Sequence, residues 1–193
     1  MLLNLVALTT LSALATAFRI PEDTPDGVYT AYYNTTGHQI LELISPIPAA
    51  SSSSASQFSR GIKQGVTELV RFPHTKRGQS WCGCTFGMDH GDCDAANEAL
   101  KAQFSPGYNL AARTGTFAVR GSAAAFACNY GNYNVQIFSG TVITGAQHVT
   151  SSCGWYIAGT WRVDGFDALD YGYMNWVNQN VCDAAESSGS HKC

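Results

Sequence analysis

Lys76-Arg77-Gly78-Gln79-Ser80-Trp81-Cys82-Gly83-Cys84-Thr85-Phe86 divides the chain into two unlike parts. All seven cysteines and all four tryptophans lie behind the Lys76-Arg77 pair, and none lies in front of it. A break of this kind at a dibasic step reads as a precursor, with a front segment over 18–77 and a cross-linked product over 78–193. Trp81 to Phe86 predicts the first strand of that product. Strand alternation would put Cys82 and Cys84 on opposite faces, so each is expected to bridge elsewhere rather than to the other.

Moving outward toward the C-terminus, Asp89-His90-Gly91-Asp92 reads as a turn, with Asp92 as a helix cap. Cys93, Ala96, Asn97, Leu100 and Phe104 recur at helical spacing, which predicts a helix over Asp94 to Phe104. Ser105-Pro106-Gly107 stops it. Thr116 to Val119 and Ala123 to Asn129 are strand material around Gly121. Tyr130-Gly131-Asn132 is a turn, and Tyr133 to Val142 is read as the returning strand. The stretch Gln147 to Thr160 fits two periods. Val149, Cys153, Tyr156, Ile157 and Thr160 match one helical face, while Trp155, Ile157, Gly159 and Trp161 match a strand. The helix is preferred. Phe166 to Val177 closes the domain as a strand, with Leu169, Tyr171, Tyr173 and Val177 on one face. The expected fold is α+β in the order β-α-β-β-α-β: an antiparallel sheet with two helices on one face, stabilised by disulfides.

Charged residues make up only 13% of the whole chain, and in the other direction the front segment opens turn-rich. Residues 1–17 read as a secretory signal, with an apolar stretch from Leu2 to Leu14 and a small-x-small site at Ala15-Thr16-Ala17. No segment reaches the roughly 18–20 apolar residues of a membrane span, so stable membrane insertion is not expected. Pro21 to Gly27 is a turn region. Val28 to Tyr33 and His38 to Ile44 form a hairpin about Asn34-Thr35-Thr36-Gly37, with no core of its own. It is expected to pair with the later domain or to stay loose. Asn34 heads the only N-glycosylation sequon. Ser45 to Ser54 reads as a flexible linker. Ile62, Val66, Leu69 and Val70 suit a short amphipathic turn over Gly61 to Phe72 that presents Lys76-Arg77 to a kexin-type protease.

The net charge is −3, and from Gly78 onward nine acidic side chains face five basic ones, about −4. This gives no electrostatic case for a nucleic-acid partner. Secretion gives the cysteines their meaning as half-cystines. The candidates are Cys82, Cys84, Cys93, Cys128, Cys153, Cys182 and Cys193, with the pairing open. Seven is odd, and Cys193 is a natural candidate for the leftover thiol or for an intermolecular bridge.

Familiar catalytic motifs are missing: the sequence has no Gly-x-Ser-x-Gly, His-Glu-x-x-His or phosphate-binding loop. Asp89, His90 and Asp92 form the one local cluster that resembles an acid/base or metal set. A turn and cap is the preferred reading of it, and neither metal nor cofactor is expected. His148 with Asp164 or Asp167 is a more distant pair that no spacing requires. Aromatic side chains are a better lead, because Trp and Tyr suit sugar stacking and protein interfaces. Trp155 and Trp161 are read as core, and Tyr130 and Tyr133, beside a Gly-Asn turn, as the exposed binding candidates.

The early Cys82 and Cys84, the helix bearing Cys93, the hairpin with Phe126-Ala127-Cys128-Asn129 and the second helix with Cys153 together form a pattern. It resembles small secreted fungal effectors and virally encoded killer toxins, which are kexin-processed, disulfide-rich α/β sandwiches. The resemblance covers Trp81 to Val177 and the precursor layout. It implies an extracellular, toxin-like or virulence-related protein that binds a target protein or cell-wall polymer rather than catalysing a reaction. A carbohydrate-binding module and a small secreted hydrolase or nuclease are the alternatives.

Overall fold

Val28-Tyr29-Thr30-Ala31-Tyr32-Tyr33 and the segment that returns from Asn34-Thr35-Thr36-Gly37 form a hairpin, as their strand-favouring residues require. It comprises β2 (Gly27–Tyr33) and β3 (Gln39–Pro46), preceded by the short β1 (Phe18–Arg19). The Asn34 side-chain carbonyl closes the turn by accepting from the Thr36 and His38 N–H groups at 3.0 and 2.9 Å. The computed structural model describes residues 18–47, 79–163, 165, 168–176 and 180–182, and for 84–86 the backbone alone. The signal reading, the 61–72 turn, Lys76-Arg77, Asp164, Asp167, Val177 and Cys193 fall outside the described residues, as does most of the linker.

Beyond the dibasic step come β4 (Ser80–Gly87), α1 (His90–Gln103), β5 (Tyr108–Leu110), β6 (Thr114–Arg120) and β7 (Ala123–Asn129). They are followed by β8 (Val135–Ile137), α2 (Ser139–Cys153), β9 (Ile157–Arg162), β10 (Leu169–Asn175) and β11 (Asn180–Val181). The main sheet runs β3-β2-β6-β7-β10-β9-β4 and is antiparallel throughout. Strand β7 is buried along its whole length, as a mid-sheet position with both faces covered demands. Two small ladders, β1-β11 and β5-β8, complete the strand pairing.

Both helices pack on the face to which Tyr171 points. Its hydroxyl donates to the Asn97 side-chain carbonyl of α1, and its ring lies against Gly145 of α2. A Cβ at Gly145 would stand 2.1 Å from that ring, so the close approach of α2 to the sheet depends on glycine. Cys82 and Cys153 join β4 to the end of α2 on the same face. On the opposite face, Cys128 and Cys182 are bridged and the Phe18 ring packs over Gly115. Phe18, Ile20 and Val28 are buried side chains from the front segment, each stabilising by about 1.5–3 kcal/mol.

An α+β fold with an antiparallel sheet, two helices and two disulfides is therefore present among the described residues. Several details differ from the sequence expectation. The expected strand over Tyr133 to Val142 ends at Ile137, and α2 begins at Ser139 because Val142, Gly145, Ala146, Val149 and Cys153 form a buried helical face. The ambiguous stretch from Gln147 contains both alternatives in turn: helix to Cys153, then strand from Ile157. From β4 onward the main elements thus follow β-α-β-β-α-β-β rather than the expected β-α-β-β-α-β. Asp89, not Asp92, caps α1. Ser45 and Pro46 finish β3 instead of opening the linker. Cys93 is a buried free thiol. Of the two expectations for the front hairpin, pairing with the later domain is the one found, because β2 pairs directly with β6.

Candidate functional site

The acid cluster at the start of α1 is occupied with structural work. Asp89 has extended ψ (130°), and its carboxylate accepts from the Asp92 N–H at 2.9 Å, which satisfies one of the orphan donors of the first helical turn. Asp92 turns elsewhere: its Oδ2 accepts from the Ser122 N–H at 3.1 Å and its hydroxyl at 3.4 Å, tying the helix start to the β6–β7 turn. His90 stacks on Tyr156, with centroids 3.8 Å apart and planes 14° from parallel. The three side chains thus reach three different partners. Among the described residues, no group of three or more His, Cys, Asp or Glu is placed to hold a metal ion.

His148 lies flat on the buried Trp161 ring, at 4.5 Å and 7°. Tyr130 is half-buried: its hydroxyl donates to the Cys182 carbonyl, and the Arg162 guanidinium lies 5.8 Å from its ring centroid. Arg162 also stands 5.5 Å from the Trp81 centroid and makes a two-point pair with the fully buried Asp170 across the β9–β10 ladder. This Trp81-Arg162-Tyr130 stack braces the sheet with a shared cation. Of the two tyrosines expected to be exposed, Tyr133 is 55 % exposed.

The most developed aromatic surface follows α2. Cys153 ends the helix and is tied to Cys82, and the Gly154 N–H donates to the Thr150 carbonyl at 2.9 Å. The backbone then takes φ of 102° at Gly154 and 57° at Tyr156. A left-handed φ is uncommon for a bulky residue and persists only where neighbours over-determine it. Here the Tyr156 carbonyl accepts from the Met88 N–H at 3.1 Å, its ring carries His90, and its hydroxyl donates to Asp94 at 3.4 Å. Trp155, held between these two residues, is 49 % exposed, with its ring 6.1 Å from that of Tyr156 and tilted by 45°.

Trp155, Tyr156 and His90 therefore form a rigid aromatic ledge, anchored by a disulfide and by the start of α1. Such a ledge offers π-faces and apolar edges to a sugar ring, a cation or an apolar side chain at little entropic cost. The sequence reading placed Trp155 in the core beside Trp161, and the structure separates the two. Gly154 was the available signal, since a glycine just past an apolar helical period marks a helix end and a turn. Tyr133 sits at the Asn129 end of β7, where its carbonyl accepts from the Asn129 side chain, whereas Trp155 leads into the start of β9, toward the Ala123 end of the same sheet. They are two surfaces rather than one. No family model, curated protein or solved structure matches this chain.

Proposed function

We propose that the chain is a secreted, disulfide-braced protein of the toxin-like or effector kind, cut from a precursor after Arg77. Its work is to bind a target through the Trp155-Tyr156-His90 ledge rather than to transform a substrate. The observation that carries this reading is the left-handed Tyr156, which holds half-exposed Trp155 outward from a cross-linked turn. A strained backbone that presents an apolar ring to solvent contributes nothing to the core, and recognition gives it a purpose. The engagement of Asp89, His90 and Asp92 in capping, turn-tying and stacking favours binding over acid/base chemistry.

Processing is tested on secreted material. N-terminal sequencing is expected to find Gly78, and Lys76→Ala with Arg77→Ala is expected to leave the precursor intact. A start at Phe18 alone would overturn processing. Binding is tested with Trp155→Ala, which is expected to leave the urea midpoint within about 0.5 kcal/mol of wild type. Retention on target cells, or on chitin or glucan if the ligand is a wall polymer, should fall about tenfold or more. Unchanged retention would remove the ledge from the binding surface. Retention on purified polymer, as against cells alone, separates the carbohydrate-binding alternative from a protein target.

A further inference from the structure

The outer edge of β6 is an interaction surface, and its occupant is a segment that the dibasic cut would separate from it. Strand β2 pairs with β6 from Gly27↔Val119 to Ala31↔Gly115, which places the front hairpin inside the sheet hydrogen-bonding. Val28, Tyr29 and Ala31 are buried, and the Tyr29 ring stacks on Phe117 with centroids 5.9 Å apart. The Thr30 hydroxyl donates to the Gly115 carbonyl at 3.3 Å. At the end of the ladder, Asp26 Oδ1 accepts from the Gly121 N–H and Oδ2 pairs with Arg120, each at 2.9 Å. A second attachment lies at the other side, where Phe18 and Arg19 pair with Val181 and Asn180 and the Phe18 ring covers Gly115. No cysteine precedes Cys82, so nothing covalent would hold the front segment once Arg77–Gly78 is hydrolysed.

We infer that cleavage does not release the front segment: residues 18–47 stay as a second, non-covalently held chain that completes the sheet, and the processed protein is a two-chain molecule. This rests on the processing reading proposed above. The structural basis is the pairing mode by which a strand is added to an open sheet edge, where main-chain bonds give affinity and alternate side chains give specificity. Buried aromatics at two separate attachments add to it, because a chain tethered at both must release both together. Removing the hairpin would leave β6 as an open edge with Phe117 uncovered on one side, the condition that folded sheets avoid.

The experiment uses the full chain with a site-specific protease sequence replacing the residues around Lys76-Arg77, cut after folding. Size exclusion and native mass spectrometry near micromolar concentration should find front and body travelling together at the mass of the uncut protein. Denaturant should separate them. Asp26→Ala, which loses the Gly121 and Arg120 contacts while lying at the surface, should speed release of the front chain about tenfold. A front chain that elutes apart from the body under native conditions overturns the inference. In parallel, kexin-type protease acts on the unaltered chain, and failure to generate a Gly78 terminus there overturns the processing reading. The two failures are read on different samples and are not confused.

Discussion

Cys93 sits in the first turns of α1, buried against the sheet, with its Sγ 3.5 Å from the Asn97 side-chain nitrogen. Burial, helped by the neighbouring Asp94 carboxylate, pushes its thiol from an ordinary 9.0 up to about 12. Since the thiolate is the reactive species, Cys93 in the folded protein is expected to resist iodoacetamide near neutral pH and to react in denaturant. Peptide mapping of the labelled protein checks this. The same shift links stability to pH. Between about 9 and 12 the unfolded thiol has released its proton while the folded one has not, so the unfolded chain binds fewer protons. Cys93 therefore contributes stability that is complete below about pH 9 and is lost progressively on the way to about 12. Burial also raises Tyr171 and Tyr173, which steepens the loss above their ordinary value of 10.0. Urea midpoints measured across this range should fall, and Cys93→Ala should flatten the first part of the fall. Cys93 was legible in the sequence as a core-facing helix position, but its freedom from a disulfide was not. Spacing reports which face a cysteine occupies and says nothing of which sulfur it meets.

Among the elements, α2 shows best where local and tertiary preferences part. Ser139-Gly140-Thr141-Val142-Ile143-Thr144 holds one glycine and four β-branched residues, which disfavour helix, and its first part reads as the end of a strand. Burial of Val142, Ala146 and Val149 against the sheet overrides that preference. For α1 the two levels agree, and its face could be read directly. Gly145 tests how closely α2 is seated. Gly145→Ala gains helix propensity of about 1 kcal/mol but drives a methyl group into the Tyr171 ring, so a net loss of about 1–2 kcal/mol is expected in the urea midpoint. Gly140→Ala, where nothing lies within 4 Å, should be neutral or stabilising and separates packing from propensity. The break at Gly154 explains why the following stretch fitted two periods. Helix and strand each hold part of it, and the positive φ values that join them leave no periodic trace.

At the scale of the whole molecule, the two cross-links among the described residues act over long distances. Cys82–Cys153 spans 71 residues and Cys128–Cys182 spans 54. Replacing Cys82 and Cys153 together by alanine should cost about 4 kcal/mol, as closure of a loop of that length in the unfolded chain is lost. Guanidinium unfolding checks the size. The seven-stranded sheet was only partly legible. An amphipathic hairpin declares that it needs a cover, yet nothing local to Val28–Tyr33 identifies β6 as its partner, with Thr30 and Gly115 lying 85 residues apart.

That separation also sets an order of events during synthesis. At roughly 5–20 residues per second, the hairpin is made roughly 5–15 seconds before β6 follows it. For that interval Val28, Tyr29 and Ala31 have no sheet to enter, and β1 waits longer still for β11. Strand β1, the first-made of the described strands, is thus the last to be docked, and the nascent protein depends on whatever shields an unpaired strand until its distant partner arrives.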